Sequence, residues 1–276
     1  MKRLAERTGQ AGDPDYMLSL ARGLAVIRAF GHGPAALSIA EVARRTDVSR
    51  AAARRCLHTL ATLGYVVGRE GSYELSPRVL TLGYAYLGSA PVARSAQPVL
   101  ERVSEQLHES CSLTVLDGDE IVYVARAATR HILSVGLSVG SRLPAYCTSM
   151  GRVLLAFSGE AERALCLGRM KLVRHTPRTL VDRGALREEL ERVRAAGYAL
   201  VDQELEVGLR SIAVPVRRPD ESVAAAINVG VQAARVEART MVRDYLPVLR
   251  LASDEIGLAL GAQHPGRSEG GANIAR

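Results

Sequence analysis

Three arginines crowd one short segment, VSRAAARRCLHTLATLGYV (residues 48–66), in which Arg50, Arg54 and Arg55 stand among alanines. Arginine can pair bidentately with guanine or clamp a phosphate, and small neighbours let a helix sit deep in a groove. On a helical rotation of about 100° per residue starting at Ala53, Leu57 and Leu60 fall within about 40° of the origin. Arg54 then lies at about 100°, His58 at about 140°, Ala51 at about 160° and Arg55 at about 200°. One face is apolar and the opposite face is basic. An ordinary solvated arginine face has the same pattern, so the flanking elements must decide between the two.

A second stretch able to do chemistry is PAYCTSMGR, residues 144–152. A strand ending at Pro144–Tyr146 and a helix starting at Thr148–Gly151 would leave the amides of Ser149, Met150 and Gly151 without intrahelical partners. Such amides form an anion site that the helix dipole strengthens. Thr148 or Ser149 could equally serve only as an N-cap. Tyr146 could stack on an aromatic ring, and Arg126 or Arg142 could supply a counter-charge; the competing reading makes both arginines surface residues. Cys147, just before the helix, could carry a depressed pKa and act as a nucleophile. The alternative is a small buried side chain, and no base is placed by sequence to activate it.

No nucleophile elbow, zinc-protease helix motif, phosphate loop or dinucleotide fingerprint occurs. His108, His131 and His175 have no metal-ligand spacing. The four cysteines, Cys56, Cys111, Cys147 and Cys166, form no C-x-x-C pair, which leaves a disulfide framework or zinc cluster without support. No catalytic residue, metal or cofactor is expected.

The elements that must position these residues follow from pattern and caps. SLARGLAVIRAFG places Leu20, Leu24 and Ile27 on one stripe of a helix. In SIAEVARRTDV, Ser38 and Glu41 form a capping box, and the helix yields at Thr46–Val48. Ser49 caps a third helix that runs to about Leu63, with Gly64 as its stop. YVVGREGSYEL reads as two short strands around a glycine turn, with Arg69 at its tip. Three short helices and a hairpin are the layout of a winged helix-turn-helix, and in that setting the basic face reads as a DNA-recognition helix contacting through Ser38, Ser49, Arg50, Ala51, Arg54, Arg55, His58 and Arg69.

Residues 79–108 read as a helix, a break at Pro91 and a second helix, a linker with Leu82, Tyr86 and Leu87 available as a dimer seam. From Ser110 the period becomes that of strands, with hairpins around Asp117–Asp119 and Pro219–Asp220. Helices are expected from Thr148, over Leu186–Val193 to Gly197, and from about Val236 to Leu260. The expected organisation is a disordered start at 1–17, a DNA-binding domain at 18–78, the linker at 79–108, an effector domain at 109–262 and a disordered tail at 263–276. The second domain is α+β, an antiparallel sheet flanked by helices.

The formal net charge is +7, and residues 1–80 hold 12 Lys+Arg against 7 Asp+Glu, so most of the excess lies in the first third. A local basic patch is the electrostatic footprint of phosphate binding. Only Lys2 and Lys171 are lysines. A hydrophobic fraction of 47% suffices for a core, no apolar run reaches bilayer length, and no signal-peptide pattern opens the chain. A cytoplasmic protein without membrane partners is expected.

With SLARGLAVIRAF, SIAEVARRTDVSRAAARRCLHTLATLGYV, GSRLPAYCTSMGRVLLA and GLRSIAVPV, the chain resembles the IclR family of bacterial transcriptional regulators over nearly its whole length. LPAYCTSMGRVLLA is most similar to the branch that controls the β-ketoadipate pathway and senses protocatechuate, 4-hydroxybenzoate or related acids. The resemblance implies a winged helix-turn-helix, a linker helix and a GAF-like effector domain, assembled as a homodimer or dimer of dimers on double-stranded operator DNA, with contact to RNA polymerase an open expectation. It also implies that Ser211 and Asn228 face the helix end at 148–151, although Asn228 could be only a satisfied strand-end amide. The chain departs from the family at Ala51, Ala52 and Ala53, where hydroxyl residues are common. Two other readings stay open: the same architecture sensing an aliphatic keto or dicarboxylic acid, and a GAF-like enzyme with Cys147 as its reactive thiol.

Overall fold

The computed structural model describes residues 13–31, 33–89, 91–129 and 137–262. Residues 1–12 and the expected tail at 263–276 lie outside that set. The chain divides into two compact units between Tyr86 and Leu87.

In the first unit, α1 (Leu18–Ala29), α2 (Ile39–Thr46) and α3 (Arg50–Thr62) pack around Val26, Leu37, Val42, Ala53, Leu57 and Leu60. The capping box forms as the sequence predicts: Ser38 N donates to Glu41 Oε2 at 2.8 Å and Glu41 N donates to Ser38 Oγ at 3.3 Å. Asp47 ends α2 in the left-handed region at φ 53°, and Gly64 turns the chain after α3 at φ 80°. Between Arg69 and Ser72 the Glu70–Gly71 turn takes φ 46° and 83°, the positive values of a tight hairpin turn. The wing is three-stranded rather than two-stranded: β1 (Ala36–Ser38), which the sequence reading does not anticipate, pairs with β3 (Ser72–Leu75), and β3 pairs with β2 (Val66–Arg69). The stripe expected in α1 is also corrected. Leu20 and Leu24 are exposed, Ile27 is half-buried, and Val26 alone in that helix is buried, because α2 and α3 cover a different face.

A 3-10 turn at Pro77–Val79 leads into α4 (Leu80–Ser89), and the boundary between units falls inside that helix. The second linker helix, α5 (Pro91–Leu107), is no spacer. Val92, Ala96, Val99, Leu100 and Val103 are buried in the core of the second unit.

That unit is built on one six-stranded antiparallel sheet in the order β6-β5-β4-β9-β8-β7. Its strands are β4 (Ser110–Asp117), β5 (Glu120–Ala127), β6 (Arg142–Pro144), β7 (Ala199–Asp202), β8 (Leu209–Arg217) and β9 (Val223–Gln232). Both faces are covered. On one, α5 and the C-terminal helix meet Leu113, Ile212, Ile227 and Val229; on the other, α6 (Ser149–Phe157), α7 (Glu160–Arg169) and α8 (Arg183–Ala196) meet Ile121, Tyr123, Ala213 and Ala226. Leu186, Leu190 and Val193 form the buried stripe of α8, and Gly197 ends it at φ 75°. The C-terminal helical run begins at Ala238, close to where its pattern implies, and passes through a turn at Ala238–Thr240 and a π-turn at Met241–Tyr245 into α9 (Leu246–Ala262). Strand β7 and helix α7 are likewise unanticipated.

Candidate functional site

The basic face of α3 is free. Ser49 caps the helix by accepting from Ala52 N at 3.2 Å, while Ala53, Leu57 and Leu60 turn inward. Ser49, Arg50, Ala51, Arg54, Arg55 and His58 are all exposed, as is Arg69 on the wing. No ion pair engages Arg50, Arg54, Arg55 or Arg69 among the described residues. Ser38 differs: its hydroxyl donates to Glu41 Oε2 at 2.7 Å and accepts from Glu41 N, so it positions α2 and is committed inside the cap. The bonds from Ser38 hold the Glu41 carboxyl below the usual carboxylate range.

The second unit holds a partly open cavity of about 220 Å³ between the sheet and the N-terminal end of α6. Its floor is a polar row across three strands. Arg126 on β5 stands opposite Ser112 on β4, and Ser112 stands opposite Asn228 on β9. Ser211 on β8 lines the same space two residues from Ala213, the partner of Asn228. Arg126 Nη1 donates to Ser112 Oγ at 2.9 Å. No carboxylate pairs with Arg126 among the described residues, and its Nε is fully enclosed without a hydrogen-bond partner. Burial lowers the pKa of its guanidinium, the mark of a cation partly stripped of water. Asn228 Oδ1 is likewise buried without a donor. A cation and a neutral amide thus line one small chamber.

Tyr123 forms another wall, and a register shift between Leu113 and Thr114 puts it there. Arg126 pairs with Ser112, yet Tyr123, only three residues earlier, pairs with Thr114 on the same face. Without the bulge, alternation would send Tyr123 and Arg126 to opposite sides. Burial pushes the Tyr123 phenol up to about 12 and the Cys147 thiol up to about 11, so both are neutral near pH 7. The high value removes the basis for Cys147 as a reactive thiol, since the thiolate is the nucleophile.

Of the residues expected around an effector, Arg126, Thr148, Met150, Ser211 and Asn228 line this cavity, and Tyr146, Ser149, Gly151 and Arg142 do not. Thr148 Oγ1 accepts from Gly151 N at 3.3 Å, so that amide is already capped. Gly151 is pressed on the Ala145 backbone, where an added Cβ would sit 2.2 Å from the carbonyl oxygen. The glycine is there for close packing against the strand end that precedes the helix. Tyr146 faces away: its hydroxyl donates to Val173 O at 2.6 Å and accepts from Val173 N at 3.0 Å. Arg142 is exposed and pairs with Asp117 at 2.8 Å and Glu120 at 2.7 Å.

Residues missed by sequence reasoning are Ser112, Tyr123, Glu109 and Arg235 on the cavity wall, and Arg152 behind it. Ser112 was findable, because a polar residue between Cys111 and Leu113 on a central strand calls for a partner. Arg152 is 2% exposed and ties the cavity frame together. It donates to Tyr146 O at 2.9 Å and pairs with Glu204 at 2.6 Å, next to the cavity-lining Leu205 and Glu206.

Comparison with known proteins matches both units. The model of the IclR helix-turn-helix domain covers residues 19–70, and that of the bacterial transcriptional regulator IclR C-terminal domain covers residues 84–258. The chain belongs to the IclR family of bacterial transcriptional regulators. It is 52% identical to the Pca regulon regulatory protein of Pseudomonas putida, over 89% of this chain and 84% of that one. It is 38% identical to the p-hydroxybenzoate hydroxylase transcriptional activator of Acinetobacter baylyi, over 88% of this chain and 91% of that one. Among solved structures, an IclR homolog from Microbacterium hydrocarbonoxydans complexed with 4-hydroxybenzoate superposes with a TM-score of 0.76 at 28% identity, covering 88% of this chain and 98% of that one. No helix among the described residues is long and apolar enough to cross a membrane.

Proposed function

We propose that this regulator binds operator DNA through α3 and the wing, and that a small hydroxylated aromatic acid in the cavity sets its affinity for that DNA. The observation that carries the reading is half-buried Arg126, a cation with no carboxylate partner among the described residues, in one chamber with Asn228, whose Oδ1 is unpartnered. Arg126 takes the carboxylate, Asn228 Oδ1 accepts from a ring hydroxyl, and Tyr123 packs on the ring. A cavity of about 220 Å³ lies below the range of about 300–1,000 Å³ typical of drug-sized ligands and suits a single-ring acid. The named relatives of the Pca and p-hydroxybenzoate systems support the aromatic class.

Two DNA-binding units act together on a palindrome, because one winged module buries too little surface for tight specific binding. The exposed Leu80, Leu82, Tyr84 and Tyr86 on α4 supply a seam for a homodimer or a dimer of dimers. The protein works in the cytoplasm, and RNA polymerase is a contact wherever it activates. A second reading, an aliphatic keto or dicarboxylic acid, has Arg235 in its favour as another cation on the cavity wall.

Calorimetry decides among these with 4-hydroxybenzoate, its methyl ester and a saturated dicarboxylate of similar length. The acid should bind and the ester should not. Equal binding of acid and ester sinks the Arg126 site; tighter binding of the dicarboxylate moves the reading to the aliphatic class.

A further inference from the structure

Resting on the proposal that the cavity holds an acid, we infer that Arg152 and Glu204 are positioning residues for that ligand: their buried ion pair fixes the wall opposite Arg126 and so selects the acid by its far end. The pair stands behind the cavity, yet each partner adjoins residues that line it. Arg152 Nε donates to Tyr146 O at 2.9 Å, and Tyr146 precedes the wall residues Cys147 and Thr148. Arg152 Nη2 meets Glu204 Oε2 at 2.6 Å, and Glu204 precedes the wall residues Leu205 and Glu206. One guanidinium thus grips two separate stretches of wall.

The grip on the second stretch is reinforced from outside. Glu204 Oε2 also accepts from Leu180 N at 2.9 Å, Glu204 O accepts from Thr179 Oγ1 at 2.6 Å, and Gln203 O accepts from Thr176 Oγ1 at 2.7 Å. Both threonines are buried. Past Glu204 this anchoring stops. Among the described residues the side chains of Leu205, Glu206 and Val207 make no hydrogen bond or ion pair, so Leu205 and Glu206 stand where Glu204 puts them. Stability alone gives little reason for such a pair, since well-packed apolar residues in place of a buried ion pair are often neutral or stabilising. What the charges supply is direction.

The sheet order places this wall. Arg126 on β5 stands at one flank of the cavity, and the loop that joins β7 to β8 closes the other. From β5 to β8 is three strand spacings, about 14 Å. A carboxylate held by Arg126 directs the rest of the molecule past Asn228 toward Leu205 and Glu206. A substituent at the far end of the ring meets that wall, and bare benzoate stops short of it.

Replacing both partners together separates positioning from stability. The double variant Arg152→Met, Glu204→Met should melt near the wild type, because no buried charge is left alone. Glu189, 3.6 Å from Arg152, keeps its pair with Arg192. By calorimetry on the full chain, 4-hydroxybenzoate should weaken by about tenfold while benzoate stays within about twofold, so the preference for the substituted acid collapses. A purely structural role gives another pattern, a lower melting temperature with both acids weakened alike, and that result overturns the inference. So does an unchanged preference in a variant that melts like the wild type. Glu204→Gln keeps an acceptor for Leu180 N and Arg152 without the charge, and it carries the test if the double variant does not fold. It should narrow the preference by about threefold, and an unchanged preference there is equally fatal. A wild type that binds neither acid sinks the cavity reading and this inference with it, whereas a wild-type preference that persists in the variants sinks the positioning role alone.

Discussion

Arginine does opposite work in the two units. On α3, Arg50, Arg54 and Arg55 stand in water, on a surface where their charge is screened and their hydration complete. In the second unit, Arg126 has surrendered part of its hydration, bonds one hydroxyl in return and lines a partly open cavity, its buried Nε unpartnered. The first setting suits a polyanion that arrives with its own counterions and is read by several contacts at once. The second suits a single small anion, because each hydrogen bond gains strength where water is excluded. Losing one arginine should therefore cost a fraction of DNA binding but most of ligand binding.

The largest expected effect is at Arg126. Arg126→Met should weaken 4-hydroxybenzoate by about 2–5 kcal/mol, the usual cost of removing one partner from an enclosed charge pair. Its net effect on the free protein should be small, since a desolvated charge disappears while the buried Ser112 hydroxyl loses its guanidinium donor, at about 1–3 kcal/mol. Calorimetry and thermal melting on the same preparation test both halves. Retained affinity would place the acid elsewhere. A large fall in melting temperature would mean that Arg126 chiefly holds the sheet.

Smaller effects are expected on α3. Arg54→Ala and Arg55→Ala should each cost about 1–3 kcal/mol of operator affinity where the arginine touches a base edge, and relax specificity at one position. A phosphate contact would weaken all sequences alike and reduce the salt slope by about one. Folding stability should stay within about 0.5 kcal/mol in either variant, because both side chains are exposed. Titration at several salt concentrations sorts the two outcomes, and wild-type behaviour from both variants would remove α3 as the reader.

The first unit was far more legible from sequence than the cavity, and the reason is range. Ser38 with Glu41, Ser49 with Ala52, and Gly64 after Leu63 are contacts within a few residues, so their spacing states their geometry. The cavity depends on pairing between distant strands. Ser112 meets Asn228 across 116 positions of chain, a partnership that no local pattern encodes. The bulge at Leu113–Thr114 changes which face Tyr123 shows, and alternation alone gives the wrong side. The helix start at Ser149 was readable, but Gly151 reads as an open anion site until the Ala145 backbone is seen beneath it. Short β1 and β7 escaped because three or four residues carry too little periodicity.

The two tyrosines carry the same contrast at its smallest scale. Tyr146 was the expected ring partner, yet both sides of its hydroxyl are occupied by Val173 and it lies off the cavity, whereas Tyr123 is on the wall. Tyr146→Phe should lower stability by about 1–3 kcal/mol, because the amide and carbonyl of Val173 lose their partner. Ligand affinity should remain near that of the wild type. Tyr123→Leu keeps an apolar side chain of moderate size and should leave more of the stability intact. It removes the aromatic face, and an aromatic pair is worth about 0.5–1.5 kcal/mol beyond area, so 4-hydroxybenzoate should weaken by that amount. A saturated ring acid such as cyclohexanecarboxylate has no π face to lose and should respond less. If the two acids weaken equally, Tyr123 shapes the chamber without stacking; if Tyr146→Phe is the variant that loses ligand, the acid binds on the Val173 side of α6.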